Sequence, residues 1–580
     1  MLKPAQSDHL QPTELNIALR QVREGFVAAG VFSLFINILM LVPAIYMLQV
    51  YDRALGSRSV ETLVMLTLIM VLLFVVMALL QIVRSAILVR IGNNIDKHLA
   101  GKIFSGMFKL AIDRPGNQSA QPLNDLATLR QYLTGQGPIA FFDGPWLPLF
   151  IVVLFMFHAW FGVFAIVAAL ILVALAWANE KLTGKLLATA NQTSIQSTQY
   201  AGSCLRNAEV VHAMGMENNL RNRWAQRHNE FINAQAEASD RAGILINVSK
   251  TLRMLFQSLI LGLGVYLAIQ QEISPGMVIA GSILLGRALA PLDLMIGSWK
   301  GFSSARSSYE RLQSLLRNHH ASHESMPLPA PKGQLSIEGI FVVAPGSVQM
   351  VLRGVNFSLD AGDMLAIVGP SAAGKSSLAR AILGVWPLSN GKVRLDGADI
   401  HQWDKNQLGP HIGYLPQDIE LFEGTISENI CRFGPLEPAL VVAAAKLTGV
   451  HEMILRLPNG YDTPIAVAGG VLSGGQRQRI GLARAVYAEP KLVVLDEPNS
   501  NLDDQGEEAL LVALQALKQK GTTVILVTHK KPVLRLVDKI LILADGQPVA
   551  FGQRDEVMQA LQSGQISMAG KGSQQGKGGQ

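Results

Sequence analysis

The octapeptide GPSAAGKS at residues 369–376 constrains the fold of this chain most strictly. It fits the pattern G-x-x-x-x-G-K-[ST], a loop whose glycines let backbone N–H groups turn toward a phosphate chain. A strand-like run at 364–368 precedes it and a helix-like run at 377–383 follows it, which is the context that such a loop requires. The N-terminus of the following helix faces the same anion. We therefore predict a binding site for a nucleoside triphosphate.

The positions of this loop have different expected roles. Lys375 reaches the terminal phosphates, and the Ser376 hydroxyl can ligate Mg²⁺. An ordinary glycine-rich turn is the alternative, and the motifs described below count against it. The nucleotide-binding residues predicted here are Gly369, Pro370, Ser371, Ala372, Ala373, Gly374, Lys375, Ser376 and Ser377.

Apolar strand-like runs alternate with helical runs after the loop, which predicts an α/β domain with a largely parallel sheet. The runs are at 364–368, 412–415, 492–495, 523–527 and 539–543. Ligands on such sheets bind at the C-terminal ends of the strands. We therefore expect the residues that follow these runs to surround the nucleotide.

Four polar residues stand at those strand ends. Asp496 and Glu497 follow the run 492–495, where Asp496 suits Mg²⁺ and Glu497 is a possible base for the attacking water. Gln417 follows the run 412–415 and can bridge metal and solvent, and His529 follows the run 523–527 within reach of a γ-phosphate. The predicted catalytic residues are therefore Glu497 and His529. The predicted metal ligands are Ser376, Gln417 and Asp496, which also contribute to the nucleotide site.

The first half of the chain has the composition of a membrane domain. Hydrophobic residues make up 49% of the 580-residue sequence and charged residues only 16%, and the mean hydropathy is +0.29. Apolar stretches long enough to cross a bilayer recur there. We predict six membrane spans, at 25–50, 62–83, 138–157, 159–178, 254–269 and 275–299.

The charges between the spans predict their orientation. Two long polar stretches, 84–137 and 179–242, carry most of the Arg and Lys residues that lie between the spans, whereas the short loops hold only Arg53 and Arg58. The long stretches are therefore expected in the cytoplasm, because cytoplasmic loops are enriched in basic residues. Residues 1–24 are polar and do not have the pattern of a secretory signal. The N-terminus and everything after Trp299 are then expected on the ATP-containing side.

A second helix start resembles an anion site. The segment LSGGQRQRIGLARA at 472–485 places Ser473 as an N-cap before Gly474, Gly475 and Gln476. With the phosphate loop, it closely resembles the ATP-binding cassette (ABC) ATPases over residues 335–561. In that family this signature completes the ATP site of a partner subunit.

The resemblance assigns roles to residues already singled out. It makes Gln417 the Q-loop glutamine, Asp496 and Glu497 the Walker B pair, residues 500–503 the D-loop and His529 the switch histidine. The implied cofactors are ATP and Mg²⁺, and the implied activity is an ATPase coupled to transmembrane transport. The implied nucleotide contacts in the signature are Ser473, Gly474, Gly475 and Gln476.

The membrane half resembles a narrower group. The stretches YDRALGS at 51–57, FFDGPWLP at 141–148, NAEVVHAMGM at 207–216 and GRALAPLDLMIGSWKGF at 286–302 are similar to the type I secretion ATPases. Those proteins export alkaline proteases, lipases and haemophores from Gram-negative bacteria. The resemblance implies a homodimer in the inner membrane that passes an unfolded polypeptide with a C-terminal signal to a membrane-fusion protein and a TolC-type outer-membrane channel. Only a couple of dozen polar residues precede the first span, so the peptidase-like N-terminal domain of other members is not expected.

The predicted fold is multidomain, an all-α six-helix ABC exporter membrane domain followed by an α/β P-loop ABC ATPase domain. Two alternatives share parts of this plan. A lipid flippase or drug exporter has the same cassette and six spans, and an importer or non-transport ABC ATPase has the cassette alone. The predicted divisions are a cytoplasmic segment at 1–24, the membrane domain at 25–316, a linker at 317–334, the nucleotide-binding domain at 335–561 and a disordered tail at 562–580.

The remaining histidines, cysteines and charges of the sequence do not indicate a metal site, a disulfide or a nucleic-acid partner. His319, His320 and His323 lie in the Pro- and Ser-rich linker and are read as solvated rather than as a metal site. Cys204 and Cys431 have neither disulfide nor metal-ligand spacing. The net charge of +6 is scattered between apolar runs rather than clustered, which argues against a nucleic-acid partner.

Two positions depart from the family pattern. Ala344 stands where an adenine-stacking aromatic is usual, with Phe341 as a nearby substitute, so base recognition is expected to be loose. Val467 stands where exporters usually have a Glu that contacts the coupling helices of the membrane domain. That contact is expected to be weaker or built from other residues.

Three ionisable residues fall inside predicted spans. Asp143, Arg287 and Asp293 are each expected to face the protein interior, a partner charge or a water-filled path, because a charge facing lipid is costly. Arg287 and Asp293 are six residues apart and so lie on different faces of one helix. We predict that Arg287 lines a path or pairs with a carboxylate on another helix, with Asp143 as the nearest candidate.

Overall fold

A computed structural model describes residues 14–114, 119–319, 328–465 and 472–563. The chain forms two compact units, one mainly from Met1–Leu110 and Asn117–Ala321 and one mainly from Ser322–Gln580. Several predictions lie outside the described residues. They concern Val467, the linker histidines 320 and 323, the first part of the N-terminal segment and residues 564–580 of the tail.

The first unit is entirely helical within the described residues. Its α-helices are interrupted by a π-helical segment at Val50–Leu55 and a 3₁₀ turn at Gly144–Trp146. The helices are α1 Glu14–Gln21, α2 Arg23–Leu39, α3 Val42–Gln49, α4 Val60–Asp113, α5 Gln121–Thr134, α6 Gly137–Asp143, α7 Leu147–Phe157, α8 Ala159–Leu205, α9 Ala208–Ala213, α10 Glu217–Ile269 and α11 Pro275–His319.

Six helical stretches of the described chain are long and apolar enough to cross a membrane, which confirms the predicted number of spans. A helix is the form expected for such stretches, because a bilayer offers no water to satisfy backbone N–H and C=O groups. The spans begin and end within Arg23–Leu55, Val60–Asp113, Gly137–Phe157, Ala159–Leu205, Glu217–Ile269 and Pro275–Arg317.

The helices continue far beyond the apolar stretches. α4, α8 and α10 contain 54, 47 and 53 residues, whereas about 20 residues span the hydrocarbon core of a bilayer. The long polar stretches of the sequence are therefore mostly helical extensions of the spans. α11 also reaches His319, three residues into the segment predicted as a linker.

The ionisable residues of the spans are paired differently from the prediction. Asp143 does not pair with Arg287; its Oδ1 lies 2.7 Å from an Arg84 nitrogen, and both side chains are buried. Asn37 and Ser33 complete this cluster, since Asn37 donates to Asp143 and Arg84 donates to the Ser33 hydroxyl. Arg84, the first residue of the predicted polar stretch 84–137, is thus buried in the membrane unit. A buried carboxylate needs a nearby cation, and α4 supplies it.

Asp293 and Arg287, the other two ionisable residues of the spans, have different surroundings. Asp293 accepts a hydrogen bond from Ser249 at 2.5 Å and forms an ion pair with Arg253 at 2.8 Å. This confirms that Asp293 faces a partner charge on another helix. Arg287 is exposed in the single chain and makes no ion pair among the described residues.

The second unit is built around a six-stranded sheet. Its order is β12-β11-β3-β10-β9-β6, with all neighbours parallel except the edge strand β12. The central strands are fully or almost fully buried, as expected for a parallel sheet covered on both faces. The strands are β3 Met364–Val368, β6 Ile412–Leu415, β9 Leu492–Asp496, β10 Thr523–Val527, β11 Lys539–Ala544 and β12 Gln547–Gln553.

This sheet confirms the five predicted strand runs and their parallel arrangement. A second, antiparallel sheet of order β2-β1-β4-β5 was not predicted, and a two-stranded pair joins β7 to β8. These strands are β1 Leu335–Val343, β2 Met350–Leu359, β4 Asn390–Leu395, β5 Ala398–Asp399, β7 Gly424–Thr425 and β8 Pro464–Ile465. The helices of this unit are α12 Lys375–Ile382, α13 Lys405–Leu408, α14 Ile426–Ile430, α15 Pro438–Leu447, α16 His451–Leu455, α17 Gly474–Val486, α18 Asp504–Gln519, α19 Lys531–Leu534 and α20 Arg554–Gln562.

Candidate functional site

The predicted site residues gather at one edge of the six-stranded sheet. β3, β10, β9 and β6 are consecutive neighbours and run parallel, so their C-terminal ends share one edge. The phosphate loop follows β3, His529 follows β10, the Asp496–Glu497 pair ends β9 and Gln417 follows β6. The topology therefore brings together the four groups that the sequence predicted at strand ends.

The phosphate loop needs its small residues for steric reasons. A Cβ at Gly369 would lie 2.1 Å from the Leu543 carbonyl oxygen, which no side chain tolerates. Gly374 has φ +95° and directly precedes α12. Ala372 also lies in the left-handed region, at φ +63°, where its side chain is disfavoured. The loop is thus held in a strained, open turn that exposes Ser371 and Ala372.

Lys375 lies across this turn. Its Nζ donates to the carbonyl oxygens of Gly369 at 2.9 Å and Pro370 at 2.8 Å. An ammonium has three N–H donors, so one remains to meet a phosphate oxygen. This geometry matches the predicted role of Lys375.

Asp496 is a buried carboxylate without a hydrogen-bond partner. The residue is 1% exposed, and neither carboxylate oxygen accepts a hydrogen bond from the described residues. Burial raises the pKa of the Asp496 carboxyl above its usual range, the neighbouring Ser376 hydroxyl opposes part of that rise, and Glu497 adds to it. A buried acid in this condition is destabilising unless a cation binds it.

These residues fit a magnesium ion. Mg²⁺ prefers oxygen ligands and binds through one or two carboxylates together with substrate phosphates. The orphaned oxygens of Asp496 and the nearby Ser376 hydroxyl offer such ligands, and the Gln417 side chain lies at the same sheet edge. The donor set therefore suits the metal that the sequence predicted.

Glu497 is half-buried and held in a defined position. Its backbone has φ +49°, and its N–H donates to the Val527 carbonyl at 3.0 Å, which ties it to β10. The Gln417 amide donates to the Glu497 carboxylate at 3.1 Å. Two of the predicted residues, Gln417 and Glu497, are thus in direct contact.

His529 is exposed immediately after buried Thr528 at the end of β10. The Thr528 hydroxyl bonds the Asn499 side chain at 3.3 Å and accepts from the Lys530 N–H at 3.2 Å. These contacts fix the backbone on both sides of His529 while its ring remains accessible.

The signature segment starts α17 as predicted. The Ser473 hydroxyl accepts from the Gln476 N–H, and the Gln476 side chain accepts from the Ser473 N–H at 2.9 Å, which forms a reciprocal capping box. A Cβ at Gly475 would lie 2.7 Å from the Asn501 carbonyl oxygen. Glycine is therefore required where the D-loop segment passes close to this helix start.

One important residue was not predicted. Gln478 is 1% exposed; its amide group donates to the carbonyls of Pro498 at 2.5 Å and Glu497 at 3.3 Å, and its oxygen accepts from Asn501 N–H at 2.9 Å. It therefore couples the signature helix to the chain that carries Glu497. The sequence signal that could have identified Gln478 was its place in the signature segment, two residues beyond Gln476. In the structure it lies on the buried face of α17.

The position of the usual adenine-stacking aromatic lies in a turn after β1. The Ala344 N–H donates to the Gln349 carbonyl and its carbonyl accepts from Ser347. Phe341 lies within β1, and its ring lies near Gly354. The expectation of loose base recognition stays a prediction.

The pattern of the family described as "ABC transporter transmembrane region" matches residues 26–290, and that described as "ABC transporter" matches residues 352–500. The Type I secretion system ATP-binding protein PrsD of Rhizobium meliloti (strain 1021) is 45% identical over 552 residues, which cover 95% of each chain.

More distant relatives have related descriptions. The Leukotoxin translocation ATP-binding protein LktB of Mannheimia haemolytica is 28% identical over 93% of this chain and 77% of that protein. A solved structure described as a bacterial Atm1-family ABC exporter with ATP bound has a TM-score of 0.79 and 23% identity, and covers 93% of this chain and 96% of that one. That structure supports the fold alone.

Proposed function

We propose that this chain, which belongs to the ABC transporters of type I secretion systems, works as a pair of identical subunits that hydrolyse ATP together and export unfolded polypeptides. The chain is a multi-pass membrane protein and an ATPase coupled to transport. Within its family it is a protein exporter rather than a lipid or drug exporter, the alternative that the sequence alone left open.

The proposal of a dimer is carried by one observation. Each chain contains a single phosphate loop, at 369–376, and a single signature helix start, at Ser473. The family resemblance implies that the signature of one subunit contacts the nucleotide of the other. Two chains in head-to-tail arrangement would then complete two sites, whereas one chain would complete neither.

The site residues have the following proposed roles. The loop N–H groups and Lys375 hold the phosphates, while Ser376, Asp496 and Gln417 hold the metal. When bound there, Mg²⁺ would neutralise negative charge that develops on the phosphate oxygens. The remaining nucleotide contacts come from the signature residues of the partner chain.

Hydrolysis is proposed to depend on Glu497 and His529. Glu497, oriented by the Gln417 amide and by its own bond to β10, accepts a proton from the attacking water. His529 has the accessibility needed to contact the γ-phosphate. Closure of the two ATPase units is proposed to reach the spans through the long helical extensions.

The cellular arrangement is part of the same proposal. The ATPase unit and the N-terminus lie in the cytoplasm of a bacterium, and the six spans lie in the inner membrane, as the basic polar stretches support. The exported chain carries a C-terminal signal and passes to a membrane-fusion protein and a TolC-type channel. The relatives described as toxin translocation ATP-binding proteins support the export of a polypeptide, which such partners would receive.

The test is ATPase stimulation of the purified protein reconstituted in liposomes. C-terminal secretion peptides from a protease and from a lipase are compared with phospholipids and with hydrophobic drugs. We expect the peptides to raise turnover and the lipids and drugs to leave it unchanged. Stimulation by drugs or lipids with no response to any peptide would contradict protein export.

A further inference from the structure

The membrane unit contains a cavity, lined by both charged and apolar residues, that the ATPase mechanism does not use. Its volume is about 490 Å³, within the usual range for ligand sites. It lies between α10, α11 and the residue that precedes α6. Six of its eleven lining residues are polar or charged: Gln136, Ser249, Lys250, Arg253, Asp293 and Ser298.

The charged side chains of this cavity form an ordered set. Asp293 is 12% exposed and is already engaged by the Ser249 hydroxyl at 2.5 Å and by Arg253 Nε at 2.8 Å. The two terminal nitrogens of Arg253 make no hydrogen bond within the part of the chain that the structure describes. Arg253 therefore forms an ion pair with Asp293 on the Nε side, and its two terminal nitrogens remain available.

Lys250 adds a second cation. It lies three residues before Arg253 on α10, is exposed and has no ion-pair partner among the residues described. Residues three apart share a helix face, so both cations line the same cavity. With Lys250 and Arg253 positive and Asp293 negative, the charged lining carries an excess of one positive charge.

Arg287 extends this positive surface along α11. It precedes the lining residues Ala290 and Leu294 by three and seven positions, which places all three on one helix face. Arg287 is exposed and unpaired among the described residues. Unpaired cations beside a bilayer are costly and mark ligand paths.

We propose that this cavity binds the carboxylate of an acidic side chain of the transported polypeptide. The inference rests on the proposed function and names the chemistry by which the substrate is held. A guanidinium fixed at Nε presents two parallel donors that match a carboxylate, and Lys250 supplies a nearby point charge. The apolar residues of the lining can contact the apolar parts of a peptide segment while the cations bind its carboxylate.

Binding of a labelled peptide to the full-length protein in nanodiscs tests this inference directly. The probe is a peptide rich in Asp and Glu, compared with the same peptide carrying Asn and Gln. We expect the wild type to bind the acidic peptide about tenfold more tightly, as expected for one charged hydrogen bond. Lys250→Gln should abolish that preference and leave basal ATPase activity unchanged.

Two further variants keep the result interpretable. Arg253→Gln alone strands the Asp293 carboxylate, so Arg253→Gln is combined with Asp293→Asn, and this pair should also lose the preference. Lys300→Gln is the matched control, because Lys300 is exposed on the same α11 and does not line the cavity. An acidic preference that persists in both Lys250→Gln and the paired variant would overturn the proposal.

Anionic lipid is the competing source of an oxyanion. The same variants are assayed for ATPase activity in phosphatidylglycerol and in phosphatidylcholine nanodiscs. If Lys250→Gln removes a lipid difference while the peptide preference remains, the cavity binds headgroups and the proposal is overturned. If the protein binds the acidic peptide selectively but transports no polypeptide, the proposed export function would be refuted and the carboxylate site would stand.

Discussion

Glu497 is the residue whose chemistry can be isolated most cleanly. Its backbone bond to β10 and its carboxylate bond to Gln417 are separate interactions. A change of charge at the carboxylate therefore leaves the phosphate loop and the backbone in place. This separation allows binding and hydrolysis to be measured apart.

We expect Glu497→Gln to bind ATP normally and to lose hydrolysis by about a hundredfold or more, because the attacking water loses its base. The variant should also accumulate a closed dimer with ATP. Turnover is measured in liposomes and nucleotide binding by equilibrium dialysis. Turnover like that of the wild type would contradict the assigned role of Glu497.

Asp496 provides a prediction on pH. Because burial raises its pKa, protonation in the folded protein begins at a higher pH than for an ordinary aspartate, and a protonated carboxyl does not ligate a cation. Magnesium affinity should therefore fall as the pH decreases through this raised pKa. Titration of Mg²⁺ at constant ATP over a pH series checks this, with Asp496→Asn as the variant in which this titration is lost.

The same shift has a consequence for stability without metal. A folded pKa above the unfolded value contributes stability below the unfolded pKa, and that contribution is lost as the pH rises through the folded pKa. At neutral pH and with chelator present, Asp496→Asn should thus stabilise the protein by about 1 kcal/mol. A lower thermal midpoint for the variant than for the wild type would contradict this origin of the shift.

At the scale of elements, Arg432 joins the signature helix to the sheet. Its guanidinium donates to the carbonyls of Arg484 at 3.0 Å and Ala485 at 3.2 Å near the end of α17. It also donates to Gly409 at 3.0 Å and Ile412 at 2.9 Å beside β6. The helix that carries the signature is thus anchored at the end opposite to Ser473.

We expect Arg432→Met to destabilise the ATPase unit by about 3 kcal/mol, because several largely buried carbonyls lose their donor. Arg432→Lys should recover only part of this, since an ammonium does not reproduce the planar fork. Chemical denaturation followed by tryptophan fluorescence gives the comparison. Equal stability of the wild type and Arg432→Met would show that water replaces the guanidinium without cost.

The Arg84–Asp143 pair is the corresponding feature of the membrane unit. Loss of one partner leaves a buried charge, so Asp143→Ala should destabilise the unit by about 3–5 kcal/mol. The double variant Arg84→Met with Asp143→Leu should recover most of that loss. The yield of monodisperse protein after heating in detergent is the measurement, and a double variant as unstable as the single one would contradict a pairwise effect.

These features show which parts of the molecule sequence patterns can predict. The phosphate loop, the signature and the spans are local patterns, so spacing and hydropathy predicted them. Arg84 and Asp143 are 59 residues apart, and no local pattern indicates that they meet. Gln478 and Arg432 contact backbone carbonyls, and a sequence pattern does not identify such partners; only the place of Gln478 in the signature segment indicated a role for it. The antiparallel sheet was missed because β1 and β2 contain bulges that interrupt simple alternation.

At the scale of the whole molecule, the dimer proposal predicts complementation. Lys375→Ala chains are mixed with chains that carry Ser473→Ala and Gly475→Ala, the last of which places a methyl 2.7 Å from the Asn501 carbonyl. If the signature acts on the partner's nucleotide, each mixed dimer has one intact site and one doubly defective site. Tandem affinity tags isolate the mixed dimer, and ATP-dependent closure is measured by cross-linking.

Recovery of closure in the mixed dimer, with none in either parent, is the expected outcome. A monomer with full ATPase activity would exclude the dimer proposal. Closure restored only when both changes lie in the same chain, opposite a wild-type chain, would place each complete site within a single subunit.

The length of α4 turns it into a mechanical lever. Its 54 residues extend about 80 Å at 1.5 Å per residue, while the hydrocarbon core of a bilayer is about 30 Å thick. An arm of roughly 50 Å therefore projects beyond the lipid, and a rotation of about 5° at the membrane border displaces its far end by about 4 Å. A small rotation changes side-chain packing little near the membrane border. At the far end of a helix this long, the same rotation produces a displacement larger than the diameter of a water molecule.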